Sequence, residues 1–397
     1  MQLRQLGNII TPTSDKEMER RWKAVRGKMA EKDIDCILIY ANQMKQAGGF
    51  RYFIDYPTYD TYGAFAIFPR EGDMAVFRHG AKDGKGPQIH PEIAKNAEVF
   101  NYPWAAAFPY TWKYIAEGAT EFLKHRGYKK LGLYRSLNLP YYLLNCFQER
   151  IDGISVTDFD EELDYIKAVK SEEEIEIHKG VVKLHDDIYA ALPLLIRPGK
   201  PERVLSGEIH KLCHELGGET ITTRIGTSSV GKGKLKALLE QNDVIKEGDV
   251  CTVMLEFSGP GNYYAELGRI WMIGCEPSAG QLKADADCLE MQDICARAAK
   301  PGVPASELIA MLHKFQEERG YWKETRIFAH GQGLDLVELP CCLSDETMVF
   351  AENMFLSFHP GMENEKVLAY NVDNYLITKD GGVRLSRTPR GIQIISG

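Results

Sequence analysis

Along the 397 residues, apolar and polar positions switch between a helical and a strand period, and the switches mark out elements. Ser14 stands before a charged stretch with helical spacing through Met29 and is read as a helix cap. Residues 36–40 form a short apolar strand. Residues 62–69 and 74–78 read as strands around the turn formers Arg70, Glu71, Gly72 and Asp73. A helix over about 110–125, a strand at 131–134, a helix over about 140–150 and a strand at 154–158 complete an α/β half. From Glu161 to His178 the chain turns strongly charged and helix-favouring, so a boundary between domains 1–160 and 161–397 is placed there.

The second half opens with helical stretches at 179–195 and 201–216. A strand and hairpin region spans 249–274, helices span 280–300 and 305–320, and a β-rich region closes the chain from 328 to 395. In the hairpin, turn formers Ser258 to Asn262 separate two alternating strands. Phe257 opposite Tyr263 would set Met254 across from Glu266 and Glu256 across from Tyr264. Alternation then gathers Met254, Glu256, Tyr264 and Glu266 on one face and Val253, Leu255 and Phe257 on the other. Two carboxylates on one face of an apolar hairpin need cationic partners if buried; an exposed sheet face is the plainer alternative.

Composition narrows the class. Hydrophobic residues at 44% and charged residues at 26% suit a globular protein with a full core. Lys+Arg 48 against Asp+Glu 56, a net charge of −8 without a basic cluster, argues against nucleic-acid or anionic-membrane partners. The longest apolar runs, 188–196 and 63–68, fall short of the ~20 residues that span a bilayer. No export signal is visible near residues 1–16, so a cytoplasmic location is expected. Nine cysteines without CxxC spacing read as reduced packing thiols.

Four groups of residues recur in order: Gly248-Asp249, Met254, Glu256, Tyr263, Glu266 and Arg269 in the hairpin; His330-Gly331-Gln332-Gly333-Leu334; Asn353-Met354 through His359-Pro360-Gly361; and Asn371 through Gly381. This order resembles the pita-bread superfamily of methionine aminopeptidase, proline-specific aminopeptidase, prolidase, creatinase, ectoine hydrolase and one type of dimethylsulfoniopropionate lyase. The resemblance covers nearly the whole chain. It implies an α/β N-terminal domain, an α+β pita-bread (creatinase/aminopeptidase-like) C-terminal domain, and a homodimer.

Peptidases of that superfamily hold two metals with Asp, Asp, His, Glu and Glu, and the positions matching these are Met254, Glu266, His330, His359 and Asp373. A thioether does not serve a hard divalent ion, so Met254 implies loss of one metal. Glu266, His330, His359 and Asp373 remain as the expected ligands of one divalent ion, with Fe, Zn, Mn and Ni not distinguished. A metal-free site of the creatinase or ectoine hydrolase type stays open. Val337 stands where peptidases of the superfamily carry a second histidine that steadies the tetrahedral intermediate.

The expectation is therefore a hydrolase or lyase of a small zwitterion or amide and not a peptidase. The alternatives are a metal-free C–N hydrolase, a dimethylsulfoniopropionate lyase and a non-catalytic binding domain. Glu256 is the expected general base or nucleophile beside Glu266, His330 and His359; Tyr264, Arg269, Arg51 and Tyr52 are the expected substrate contacts. The aromatic stretch 102–114 reads as core, dimer seam or a cage for a cationic group. The run from Gly231 to Lys236 lacks P-loop spacing, and His90, His178, His185, His210 and His214 read as structural.

Overall fold

Residues 4–6, 9–41, 48–55, 62–81, 97–105, 107–229 and 232–395 are described by the computed structural model. Two compact units, Met1–Lys167 and Ala168–Gly397, make up the chain. His90 and Gly231 lie outside the described residues.

In the N-terminal unit a ribbon of β1 (Arg4–Leu6) and β2 (Ile9–Thr11) precedes helix α1 (Asp15–Glu31). The Ser14 hydroxyl accepts from the Glu17 N–H, satisfying one of the donors that a helix start leaves open. There follow β3 (Cys36–Ala41), α2 (Gly48–Ile54), β4 (Ala64–Pro69), β5 (Met74–His79) and β6 (Ala97–Tyr102). Then come α3 (Trp112–His125), β7 (Lys130–Tyr134), α4 (Tyr141–Gln148), β8 (Ser155–Asp158) and α5 (Asp160–Ala168). Six strands form one mixed sheet in the order β6-β5-β4-β3-β7-β8. Leu38, Tyr40, Phe65 and Phe77 pack against Ile115, Ala119 and Leu123 of α3 and Leu143 and Phe147 of α4. Trp104 and Trp112 are buried in this same core, so that part of the aromatic stretch packs the domain, while Phe108 and Tyr110 are exposed.

The C-terminal unit starts with α6 (Glu172–Leu195), closed by a Ser171–Glu174 capping box, and α7 (Glu202–Glu215). Next are β9 (Ile221–Ser228), β10 (Val250–Ser258), β11 (Tyr264–Ile273), α8 (Ala279–Ala298) and α9 (Glu307–Arg319). The remainder is β12 (Ala329–Gly331), β13 (Glu338–Cys341), β14 (Phe355–Phe358), β15 (Gly361–Glu363), β16 (Leu368–Tyr370), β17 (Asp373–Thr378), β18 (Gly381–Arg384) and β19 (Gln393–Ile395). Two sheets dominate, β19-β11-β10-β9 and β13-β12-β14-β17-β18. Val253, Leu255, Phe257 and Leu267 of the first pack on Ile188 and Leu192 of α6 and Leu205 and Ile209 of α7. Leu356, Phe358, Tyr375 and Ile377 of the second pack on α8 and α9 through Met291, Cys295, Leu308 and Leu312. A bridge between Gly268 and Val372, and the Asn374 amide spanning the Glu266 backbone, join the sheets.

The hairpin register differs from the expectation by two residues: Glu256 pairs with Glu266 and Met254 with Gly268. The cause is the turn. Tyr263 belongs to it, and Gly261 (φ 78°) and Asn262 (φ 65°) adopt the left-handed backbone that Gly and Asn tolerate. An even slip keeps each side chain on its face, so the expected polar face survives. No helix among the described residues is long and apolar enough to cross a membrane.

Candidate metal centre and active site

Three strands bring the centre together. β11 carries Glu266; β12 sets His330 opposite Ser357 of β14; and His359 follows directly on β14, one strand period after Ser357. Glu266 Oε1 lies 3.4 Å from His330 Nε2, and its Oε2 lies 3.9 Å from His359 Nε2. The Ser357 hydroxyl donates to Oε2 at 2.8 Å. One ligand atom from each of Glu266, His330 and His359 falls within 4.8 Å of the others, and all three residues are buried.

The electrostatics divide the two neighbouring carboxylates. Burial works to raise the Glu266 carboxyl, yet the His330 and His359 imidazoles and the Ser357 hydroxyl outweigh it and hold the group down at about 2. Glu256 is pushed up by burial and by the Glu266 charge, against the pull of Arg224. His330 is raised because the Glu266 carboxylate overcomes burial, whereas burial takes His359 down to about 4.

These residues fit a divalent ion. His330 Nδ1–H donates to the Gly331 carbonyl at 2.9 Å, which turns Nε2 toward Glu266, the arrangement typical of a metal-ligating histidine. Both ring nitrogens of His359 are buried and have no hydrogen-bond partner among the described residues. Two imidazoles and a carboxylate suit Zn, Fe, Mn or Ni.

Asp373 does not belong to this cluster. It pairs with Phe358 and so points to the opposite face from Ser357 and His359. Its Oδ1 receives Arg269 Nη2 at 2.8 Å and lies 3.0 Å from Arg384 Nη2. Arg269 is corrected for the same reason. It is fully buried and donates to the carbonyls of Pro389, Gly268, Val372 and Thr388 besides Asp373, which leaves nothing to hold a substrate. Arg51 and Tyr52 are buried too, at 2% and 1% exposure, with Arg21 stacked over the Tyr52 ring. Tyr264 keeps its expected face but is 2% exposed and anchored through its N–H to the Gly333 carbonyl. Where the resemblance implies a second ion, Met254 sits in an apolar cluster with Val250, Ile270, Met272, Tyr370 and Val372, and Tyr370 donates to its sulfur at 3.5 Å.

The loop after His330 is pinned from below. Glu338, buried in an ion pair with Lys170 at 2.8 Å, accepts from the Leu334 and Asp335 N–H groups. A Cβ at Gly333 would lie 2.2 Å from the Glu338 carboxylate, so only glycine fits there. Two residues beside the centre escaped the sequence reading. Ser357 was signalled only by alternation, two positions before His359. Arg224 lies on β9, which was not recognised as a strand; its Nε donates to Glu256 Oε1 at 3.3 Å. Among the other histidines, His185 stacks on Phe257 and His178 on Phe355, as packing residues.

The sequence profile of Metallopeptidase family M24 matches residues 176–389. The chain is 27% identical over 255 residues to an Xaa-Pro dipeptidase of Pyrococcus furiosus, covering 64% of this chain and 72% of that protein. A second Xaa-Pro dipeptidase, from Pyrococcus horikoshii, is 27% identical over 273 residues, 68% of this chain and 77% of that protein. The crystal structure of a prolidase from Pyrococcus horikoshii OT3 superimposes with a TM-score of 0.75 at 24% identity, over 94% of this chain and 99% of that one. The pita-bread fold expected from the motif order is thereby established. The expectation of a non-peptidase hydrolase or lyase is overturned, because these relatives are named as dipeptidases. That expectation gave too much weight to two substituted positions, Met254 and Val337, and too little to the Glu266, His330 and His359 constellation.

Proposed function

The chain belongs to metallopeptidase family M24, and on that premise we propose that it is a dipeptidase working with one divalent ion held by Glu266, His330 and His359. The observation that carries this reading is the buried convergence of those three residues within 4.8 Å, with Glu256 directly across the hairpin from Glu266. An ion bound there supplies Lewis acidity to the scissile carbonyl and acidifies water. Glu256, kept more basic than an ordinary carboxylate, takes the proton of the attacking water and returns it to the amine as the C–N bond breaks. Ser357 and the two imidazoles keep Glu266 ionised, so the two carboxylates do not compete for one proton. Met254 and its apolar neighbours support a single ion and leave base catalysis to Glu256.

The names of the relatives make Xaa-Pro dipeptides the first panel to test. Elemental analysis of active protein should find about one ion per chain, with Glu256→Gln lowering kcat by about 100-fold or more. Two ions per chain, or full turnover by Glu256→Gln, would refute the reading.

A further inference from the structure

A dipeptidase with one ion must still steady the oxyanion that forms when water adds to the scissile carbonyl. Val337, where the resemblance places a second histidine, is 41% exposed and its side chain donates nothing. Other side chains of the centre have spent their protons: Ser357 donates to Glu266, and His330 to the Gly331 carbonyl. The Tyr264 hydroxyl is engaged with Thr220 and Ser258.

Tyr370 is different. It ends β16 and packs with Val250, Met254, Ile270 and Met272 on the face of the hairpin that carries Glu256 and Glu266. Its ring centroid lies 6.1 Å from that of His359, and the Arg326 guanidinium lies over it at 5.1 Å. The hydroxyl donates to the Met254 sulfur at 3.5 Å, and that thioether is its one acceptor among the described residues. Met254 precedes Glu256 by one strand period, and Gly268 across the hairpin follows Glu266 by one. Burial, with the Glu266 and Glu256 charges, holds the phenol above its ordinary value against the pull of Arg326, so the hydroxyl keeps its proton in the field of both carboxylates. A thioether is a weak acceptor, and a carbonyl oxygen that gathers negative charge takes the O–H from it readily.

We infer that Tyr370 donates its O–H to the oxyanion of the tetrahedral intermediate, the role that the substitutions at Met254 and Val337 leave open; this rests on the dipeptidase reading above. As water adds, Glu256 takes its proton and the carbonyl π pair moves onto oxygen, where the Tyr370 O–H meets it without giving up its proton. That oxygen pair then re-forms the carbonyl, the C–N pair leaves on nitrogen, and the amine takes the proton from Glu256.

Tyr370→Phe keeps the ring against His359 and Arg326 and removes only the donor. On Ala-Pro it should lower kcat about 100-fold with KM changed less than about 3-fold, and its ion content by elemental analysis should stay at the wild-type level. A phosphinic isostere of Ala-Pro carries an anionic oxygen where the oxyanion forms. Its affinity, read by calorimetry, should fall by about the factor that kcat does, while L-proline binds both proteins equally. Met254→Leu removes the sulfur, leaves the phenol, and should hold kcat within about 3-fold of wild type. A loss there as large as that of Tyr370→Phe would mean that the hydroxyl acts by bracing Met254, and would overturn the proposal. So would full turnover by Tyr370→Phe, or a fall in its kcat with phosphinate affinity unchanged. Wild type that neither cleaves a dipeptide nor binds the phosphinate sinks the dipeptidase reading and takes the proposal with it; wild type that cleaves Ala-Pro keeps that reading whatever Tyr370→Phe does.

Discussion

Two buried carboxylates a short way apart in the same unit have opposite fates. Glu266 faces two imidazoles and a serine hydroxyl; Asp373 faces two guanidinium groups. Both look like metal ligands in a string of letters. A guanidinium is charged at every working pH, so Asp373 Oδ1 is held by Arg269 and Arg384 and steadies the backbone of the 388–389 loop through Arg269, while its buried Oδ2 has no hydrogen-bond partner among the described residues. An imidazole can give up its proton, and the His359 nitrogens have no hydrogen-bond partner among the described residues, so Glu266 stands among groups that can turn to a cation. What separates a site from a brace here is the partner's chemistry, and strand alternation decides which partner each carboxylate meets.

The largest effect should come from the imidazole side. Glu266→Gln is expected to lower kcat/KM by about 10³-fold or more and to lose bound ion by elemental analysis, because the one carboxylate of the cluster among the described residues is gone. A folded Glu266→Gln protein with normal ion content would mean that the cluster is not the metal site.

Asp373→Asn sharpens the contrast from the other side. Removing one partner of a fully buried pair leaves Arg269 uncompensated, and about 3–5 kcal/mol of stability should go. Denaturant melts measure that loss, while the ion content of the folded fraction should stay at the wild-type level. If the ion leaves with the Asp373 carboxylate, the two clusters are one.

The sequence carried much of this separation but not all of it. Period and turn chemistry located most helices and strands, and the polar face of the hairpin was legible because an error of two residues in register preserves parity. The seven-residue α2 and strand β6 were not legible: the first is too short for a helical period to show, and the second takes its shape from pairing with β5. Glu266, His330 and His359 were found as ligand-type residues at matching positions. Asp373 was placed wrongly because a motif match does not say which way a strand points; its register against Phe358 does. Arg224 was invisible for the lack of a recognised β9, since without that strand nothing ties it to Glu256.

The smallest effect concerns a third buried histidine on the helix side of the same hairpin. His185 has no exposed surface, stacks on Phe257 with ring centroids 3.5 Å apart, and its Nδ1–H donates to the Val181 carbonyl. Glu266 raises His330 against burial, whereas at His185 burial outweighs the upward pull of the Val181 carbonyl and of the same Glu266 carboxylate and takes the ring down to about 4. The unfolded chain takes up this proton below ~6.5 and the folded chain only below about 4. The stabilising contribution is thus complete above pH ~6.5 and is lost as pH falls toward 4, with roughly 2 kcal/mol gone by pH 5. His185→Phe keeps the ring stack and removes the titration. Between pH 7.5 and 5 the variant should therefore lose about 2 kcal/mol less than wild type in urea melts, since every other titrating group is common to both proteins. Parallel losses would show that His185 takes its proton in the folded state as readily as in the unfolded one, and that burial alone does not set the charge of a histidine in this fold.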